Sequence, residues 1–256
     1  MAALGGVALL ALGRLSRGVS RTLINASRVL TEKLRPLLFS KASHVYLPTD
    51  YARVPHEKYL RRFGKGRKRV LMLGMNPGPY GMAQTGVPFG EVAAVRDWMG
   101  IEGKVEKPVP EHPKRPVMGF ACERSEVSGR RLWGLFSEKY PQAEDFFAEH
   151  FVANYCRLVW MSETGANITP DKLPTEEMVP VEAACEEHLE KVIAAVKPDY
   201  LIGVGAYAEG KLKLAAERID YEATLGRVLH PSPASPAANR GWAEAAEKQL
   251  RAMRVW

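Results

Sequence analysis

The chain has 256 residues, 46% hydrophobic, 25% charged and 9% aromatic, long enough to bury a core without disulfides or structural metals. That composition excludes a mostly disordered, collagen-like or multi-span membrane protein. The net charge of +7 includes four arginines and no acid in residues 1–31, so the main body is only mildly basic, which suits an anionic partner.

Ala2 to Leu12 is an apolar run too short to span a bilayer. Its arginines follow it rather than precede it, unlike a secretory signal. Residues 1–28 are read as a poorly ordered leader, either a mitochondrial transit peptide by composition or a non-native leader, and residues 29–256 as a single domain. Arg61, Arg62, Lys65, Arg67, Lys68 and Arg69 then form a basic cluster, read either as a solvated loop or as a polyanion contact. Val70 to Leu73, ending in Gly74, has the unbroken apolar run of a buried parallel strand. Phe151 to Ala153, Tyr200 to Val204 and Arg227 to Leu229 are three further strand candidates. Helices are predicted over Glu91–Met99, Gly129–Glu138, Val181–Val196, Ala206–Ile219 and Pro236–Met253. Strands followed by helices predict a three-layer α/β/α sandwich with a mainly parallel central sheet. In such sheets ligands bind beyond the carboxyl ends of the strands. Met75-Asn76-Pro77-Gly78, Asn154, Gly205 and His230 lie there.

Cys122, Cys156 and Cys185 show no metal-ligand spacing, so neither a zinc site nor a disulfide framework is expected. Gly203-Val-Gly205-Ala-Tyr-Ala208 fits a dinucleotide fingerprint, and Gly205 to Lys211 fits most of a phosphate loop. Leu212 stands where that loop needs Ser or Thr, so a tight strand-to-helix turn is the preferred reading and nucleotide binding the alternative. His230-Pro-Ser-Pro-Ala-Ser-Pro236 is a loop stiffened by three prolines, with the hydroxyls of Ser232 and Ser235 available to phosphate. His112-Pro-Lys-Arg-Pro116 is a second rigid, basic loop. His56 and Cys156 are read as structural.

Four segments together resemble one family. They are Gly74-Met-Asn-Pro-Gly-Pro-Tyr-Gly-Met-Ala-Gln-Thr-Gly-Val-Pro-Phe-Gly90, His112-Pro-Lys-Arg-Pro116, Ser125-Glu-Val-Ser-Gly129 and His230-Pro-Ser-Pro233. They resemble the single-strand-selective monofunctional uracil-DNA glycosylases of the uracil-DNA glycosylase superfamily, over about Tyr51 to Trp242. The resemblance implies that superfamily's sandwich fold and excision of uracil and oxidised 5-substituted uracils from DNA. It implies no cofactor, no metal and no membrane. On this resemblance Asn76 holds the attacking water and His230 faces the uracil O2. Phe89 stacks on the flipped base, Asn154 reads its Watson–Crick edge, and the Met75 N–H contacts it. Gly78 matches the place where the strictly uracil-specific branch has a tyrosine that blocks C5 substituents. The loop Ser232, Pro233, Ala234 and Ser235 is the wedge that enters the duplex, with Ala234 where vertebrate members place an arginine. Lys114, Arg115, Ser128, Arg130, Arg131 and Arg240 are the further expected DNA contacts, and Ser128 is also a candidate helix cap. A monomeric, intracellular enzyme follows from that function, in the nucleus of a eukaryote or the cytoplasm and nucleoid of a bacterium, with mitochondrial targeting by the leader as a further destination. The rivals are a nucleotide-dependent enzyme and a non-catalytic reader of DNA lesions.

Overall fold

The computed structural model describes the backbone from residue 3 to residue 256 and the side chains from residue 18. In chain order the elements are α1 (Ala3–Leu34), β1 (His44–Tyr46), α2 (Pro48–Tyr51), α3 (Arg53–Phe63), β2 (Val70–Gly74), α4 (Met82–Thr85), α5 (Val127–Lys139) and α6 (Ala143–Glu149). Then come β3 (His150–Asn154), β4 (Val159–Met161), β5 (Asn167–Ile168), α7 (Thr175–Val196), β6 (Tyr200–Val204), α8 (Ala206–Arg218), β7 (Thr224–Val228), α9 (Pro236–Asn239) and α10 (Trp242–Ala252).

The central sheet has the order β3-β2-β6-β7, every pair parallel, with Gly74 opposite Asn154 and Val204 opposite Val228. Every residue of β2 and β3 is buried, as strands covered on both faces must be. Successive side chains alternate between faces, which assigns the two helical layers. A Cβ on Gly203 would run into Glu209 of α8, whereas one on Gly226 would run into Met253 at the end of α10. Gly226 pairs with Ile202, one residue before Gly203, so α8 and α10 lie on opposite faces. Helices α1 and α7 extend the α8 layer; α5 packs with α10. Aromatic rings fill the second layer, with Phe63 on Phe147 at 4.0 Å and Phe136 on Phe146 at 4.4 Å between centroids. The fold is the expected α/β/α sandwich.

Two sequence expectations are corrected, and one feature was not expected. Residues 20–28 are not a leader: within α1, Leu23, Ile24 and Ala26 are buried and Ser27 Oγ bonds His56 Nε2 at 2.8 Å. Arg28 meets Glu57 of α3 with two hydrogen bonds of 2.8 and 2.9 Å. Residues 20–28 therefore belong to the packed domain; Met1 and Ala2, and the side chains up to residue 17, lie outside the described residues. The helix expected over Pro236–Met253 is two helices, broken at Gly241, whose φ of +126° lies outside the helical range. A second sheet, β1-β4-β5, is antiparallel and consists of strands two or three residues long.

The basic cluster precedes β2, so it stands at the amino ends of the sheet, opposite the carboxyl ends. Most of its charge is committed. Arg62 bonds Glu144, Arg67 bonds Asp199, Arg69 bonds Glu149, and the buried Lys68 ammonium bonds the Phe147 carbonyl.

Candidate active site

β2 ends in a glycine because its neighbours leave no room for more. A Cβ on Gly74 would lie 2.5 Å from Asn154 Oδ1 and 2.6 Å from the Phe89 ring. Strand end, amide and ring edge thus converge on one point. Asn154 is 2% exposed, and its Oδ1 has no hydrogen-bond partner among the described residues. Its Nδ2 has only the thioether of Met82, at 3.4 Å. Phe89 is held at φ +52°, which a non-glycine residue adopts only when its surroundings compel it. Its carbonyl accepts from Trp133 Nε1 at 2.9 Å and from the Glu91 N–H at 2.7 Å, which holds this backbone conformation.

Asn76 follows directly. Its Nδ2 donates weakly to Leu158 O and Pro77 O, at 3.4 and 3.5 Å, leaving Oδ1 to accept from a water. The Met75 carbonyl is taken by the Cys156 N–H at 2.9 Å, which ties the turn after β2 to the turn after β3.

His230 stands two residues beyond β7, its ring 6.4 Å from that of Phe89. Its Nδ1 accepts the Ser232 N–H at 3.1 Å, so Nδ1 carries no proton and Nε2 is the donor. Burial lowers the ring's pKa from its ordinary value, which favours the same neutral form. Gly205, at φ +95°, makes room for it, since a Cβ there would lie 3.2 Å from His230 Cβ. The late glycines thus form a strand-to-helix turn. Lys211, the phosphate-loop lysine of the alternative reading, is paired with Glu182 at 2.9 Å and lies over the Tyr155 ring.

The expected DNA contacts divide. Lys114, Arg130, Pro233, Ala234 and Arg240 are exposed. Arg131 instead binds Pro231 O, Ser232 O and Asn239 Oδ1 at 3.0, 3.3 and 2.8 Å, so it braces the loop after His230. Ser232 Oγ accepts the Ala234 N–H, and Ser235 Oγ caps α9 through the Ala238 N–H. Both hydroxyls shape the loop and retain a proton to donate. Ser128 is not the cap of α5: Glu126 is, accepting the Gly129 N–H at 3.2 Å. Arg115 donates to Gly165 O at 2.8 Å and to Tyr80 Oη at 2.7 Å. Arg124 reaches the same Oη at 2.6 Å, and the two guanidiniums lie 5.3 and 5.2 Å from the Tyr80 ring centre. Tyr80, Lys114 and Arg124 line a surface cleft of about 270 Å³. His112 is buried and bonded at both nitrogens, to Ser162 O and the Lys114 N–H, so it supports the basic loop. His56 is structural as expected, bonded to Ser27 and Gly86 O.

Sequence reasoning missed Glu126 and Arg124. Both lie in or beside Ser125-Glu-Val-Ser-Gly129, and Glu126 is the charged residue of that motif. The space beside Gly78 is not empty: a Cβ there would lie 2.8 Å from Glu126 Oε1.

The family model for the uracil DNA glycosylase superfamily matches residues 61–253. The chain belongs to this superfamily. It is 46% identical over 222 residues to the single-strand selective monofunctional uracil DNA glycosylase of Bos taurus, covering 86% of this chain and 82% of that one. The Rattus norvegicus protein of that name is 46% identical over 207 residues, covering 81% and 74%. The crystal structure of Pedobacter heparinus SMUG2 superposes with a TM-score of 0.60 over 90% of this chain and 97% of that one, at 15% identity, and so shares the superfamily fold. Among the described residues no helix is long and apolar enough to cross a membrane, and no cluster of three metal-ligating side chains occurs.

Proposed function

We propose that this chain, acting as a monomer inside the cell, turns uracil and 5-substituted uracils such as 5-hydroxymethyluracil out of DNA and hydrolyses the N-glycosidic bond, leaving an abasic site for base excision repair. The carrying observation is the orphaned Asn154 Oδ1. A buried acceptor without a partner costs about 1–3 kcal/mol, and uracil N3–H is a donor of the right kind. Nδ2 can exchange the Met82 sulfur, a weak acceptor, for uracil O4. Cytosine presents the opposite pattern and leaves both amide groups unpaired, which discriminates strongly.

Extruding a stacked base costs a few kcal/mol, and stacking on Phe89 returns about 1–3 kcal/mol of it. The Met75 N–H and Gly78 complete the base site. Bond cleavage leaves negative charge on the uracil and positive charge on the sugar. The neutral His230, donating from Nε2 to O2, stabilises the anion as a preorganised donor. Asn76 cannot take a proton near pH 7; it orients water through Oδ1. That suffices when the sugar is already an oxocarbenium-like cation, which a weak nucleophile attacks. The electron pair of the C–N bond leaves with the base, and the water supplies the new C–O bond and gives up its proton to the departing uracil anion or to solvent.

The exposed Lys114, Arg130 and Arg240, with Arg115 at Tyr80 and Ser128 at the start of α5, are proposed to meet DNA phosphates. The loop Ser232 to Ser235, braced by Arg131, is proposed to enter the duplex. Phosphate contacts of this kind give an affinity that falls steeply with salt. No lysine occurs in the Gly74–Gly90 segment, so a Schiff-base step has no nucleophile there. The test is incubation with a uracil-containing oligonucleotide and borohydride. Free uracil with an intact, abasic strand and no trapped protein supports the reading; a covalent adduct refutes its monofunctional part.

A further inference from the structure

The family resemblance places tolerance of C5 substituents in the side chain that Gly78 lacks, but the volume beside Gly78 belongs to a carboxyl group. Glu126 Oε1 is the atom that a Gly78 Cβ would strike, at 2.8 Å, and Glu126 Oε2 is the atom that a Gly81 Cβ would strike. Two glycines therefore clear a seat for one carboxylate. The seat is fixed by the Gly129 N–H, which Oε2 accepts at 3.2 Å. Gly129 itself abuts the carbonyl of Phe89, the stacking residue, so the carboxyl is positioned relative to the base platform.

Ring geometry brings the substituent to that side. C5 lies across the pyrimidine ring from C2, so with O2 on His230 the C5 substituent points away from β7. In the order β3-β2-β6-β7 that direction leads towards the turn after β2, which contains Gly78 and Gly81. We propose that Glu126 is the specificity-determining residue for 5-substituted uracils, its carboxyl accepting the hydroxyl of a 5-hydroxymethyl group, directly or through one water, and disfavouring the methyl of thymine. A methyl group there would strip the carboxyl of its solvent without replacing a hydrogen bond. This rests on the chain releasing uracil as described above.

Burial raises the Glu126 carboxyl to about 7, opposed by the Gly129 N–H and reinforced by the negative charge of Glu91, the charged side chain that bears on it. Both forms are thus present near neutrality, the anion accepting only and the acid able to donate as well. Discrimination between bases is therefore pH-dependent, whereas an empty space beside Gly78 would be indifferent to pH.

The test compares kcat/KM for uracil and 5-hydroxymethyluracil release from single-stranded oligonucleotides, between pH 6 and 8, for the wild type, Glu126→Leu and Glu126→Gln. The expected result for Glu126→Leu is a ratio of 5-hydroxymethyluracil to uracil lower by about tenfold or more, the scale of one lost hydrogen bond to a charged group. Glu126→Gln keeps an oxygen for the Gly129 N–H, so the α5 cap survives; its ratio is expected to lose the wild-type pH dependence. If both variants keep the wild-type ratio at every pH, with the two rates falling together, Glu126 is only a cap and the proposal is wrong. If the wild type releases neither base, the reading as a glycosylase fails, and this inference with it.

Discussion

The Ser232 N–H donates to His230 Nδ1 across 3.1 Å, and that bond decides which ring nitrogen faces the site. The same device recurs in the other His-Pro loop, where the Lys114 N–H donates to His112 Nδ1 at 3.0 Å. There Nε2 is satisfied by Ser162 O. At His230 it is kept for the substrate.

Protonating His230 would place two donors, Nδ1–H and the Ser232 N–H, against each other. Its pKa lies below its ordinary 6.5 because burial disfavours the cation. Uracil release is therefore expected to hold from pH 8 down through 6.5 and to fall only at more acid pH, measured as kcat/KM on a single-stranded oligonucleotide. A rate that climbs steadily into acid would mean that the imidazolium is the working form.

Gly205→Ala puts a Cβ 3.2 Å from His230 Cβ at a φ of +95°. The backbone strain alone is worth about 1–3 kcal/mol. A lower melting temperature is expected, together with a loss of uracil release of about tenfold as His230 is displaced by a fraction of an ångström. NAD or ATP binding to the wild type at this turn would instead revive the nucleotide reading.

Gly74→Ala is expected to fill the base site from below, since its Cβ would meet both Asn154 Oδ1 and the Phe89 ring. Base release should fall by orders of magnitude while affinity for undamaged DNA persists, because the exposed cations are untouched. Equal loss of both would show that the substitution had unfolded the strand.

Much of this arrangement is legible in the residues. Three of the central strands follow from apolar runs ended by glycine or asparagine, whereas β7 starts at Thr224, three residues before the expected Arg227, because its half-exposed sequence contains no apolar run. Helix α1 was obscured because its arginines and lack of acids look like a leader, although Leu23, Leu30 and Leu34 share a helical face. The antiparallel sheet was not legible, since strands of two or three residues carry no periodicity. Partners of the basic cluster lie far along the chain: Glu144 is 82 residues from Arg62, and Asp199 is 132 from Arg67. Glu126 was hidden for a similar reason, because its neighbours Gly78 and Gly81 come from another loop.

Acid should destabilise this fold through its buried histidines. Burial lowers His56 to about 3 and His150 to about 4, and pushes His188 well below its ordinary value. A histidine that is neutral in the folded state contributes stability that is fully present above 6.5. That stability is lost as the pH falls, down to the folded value, at up to about 1.4 kcal/mol per pH unit for each residue. Glu126, raised, acts in the opposite sense between its ordinary value and about 7, but it is one group against these three and His230. Thermal melts from pH 7.5 to 4.5 should show a falling midpoint, and His56→Gln should flatten the slope.

The most direct test of the central claim is release of free base from a uracil-containing oligonucleotide, with and without EDTA, by the wild type, Asn76→Ala and His230→Ala. Release that ignores EDTA and falls by about 10²–10³ in each variant is the expected result, the scale of one lost preorganised group. Binding specific for uracil but without release, or release unaffected by either substitution, would contradict it.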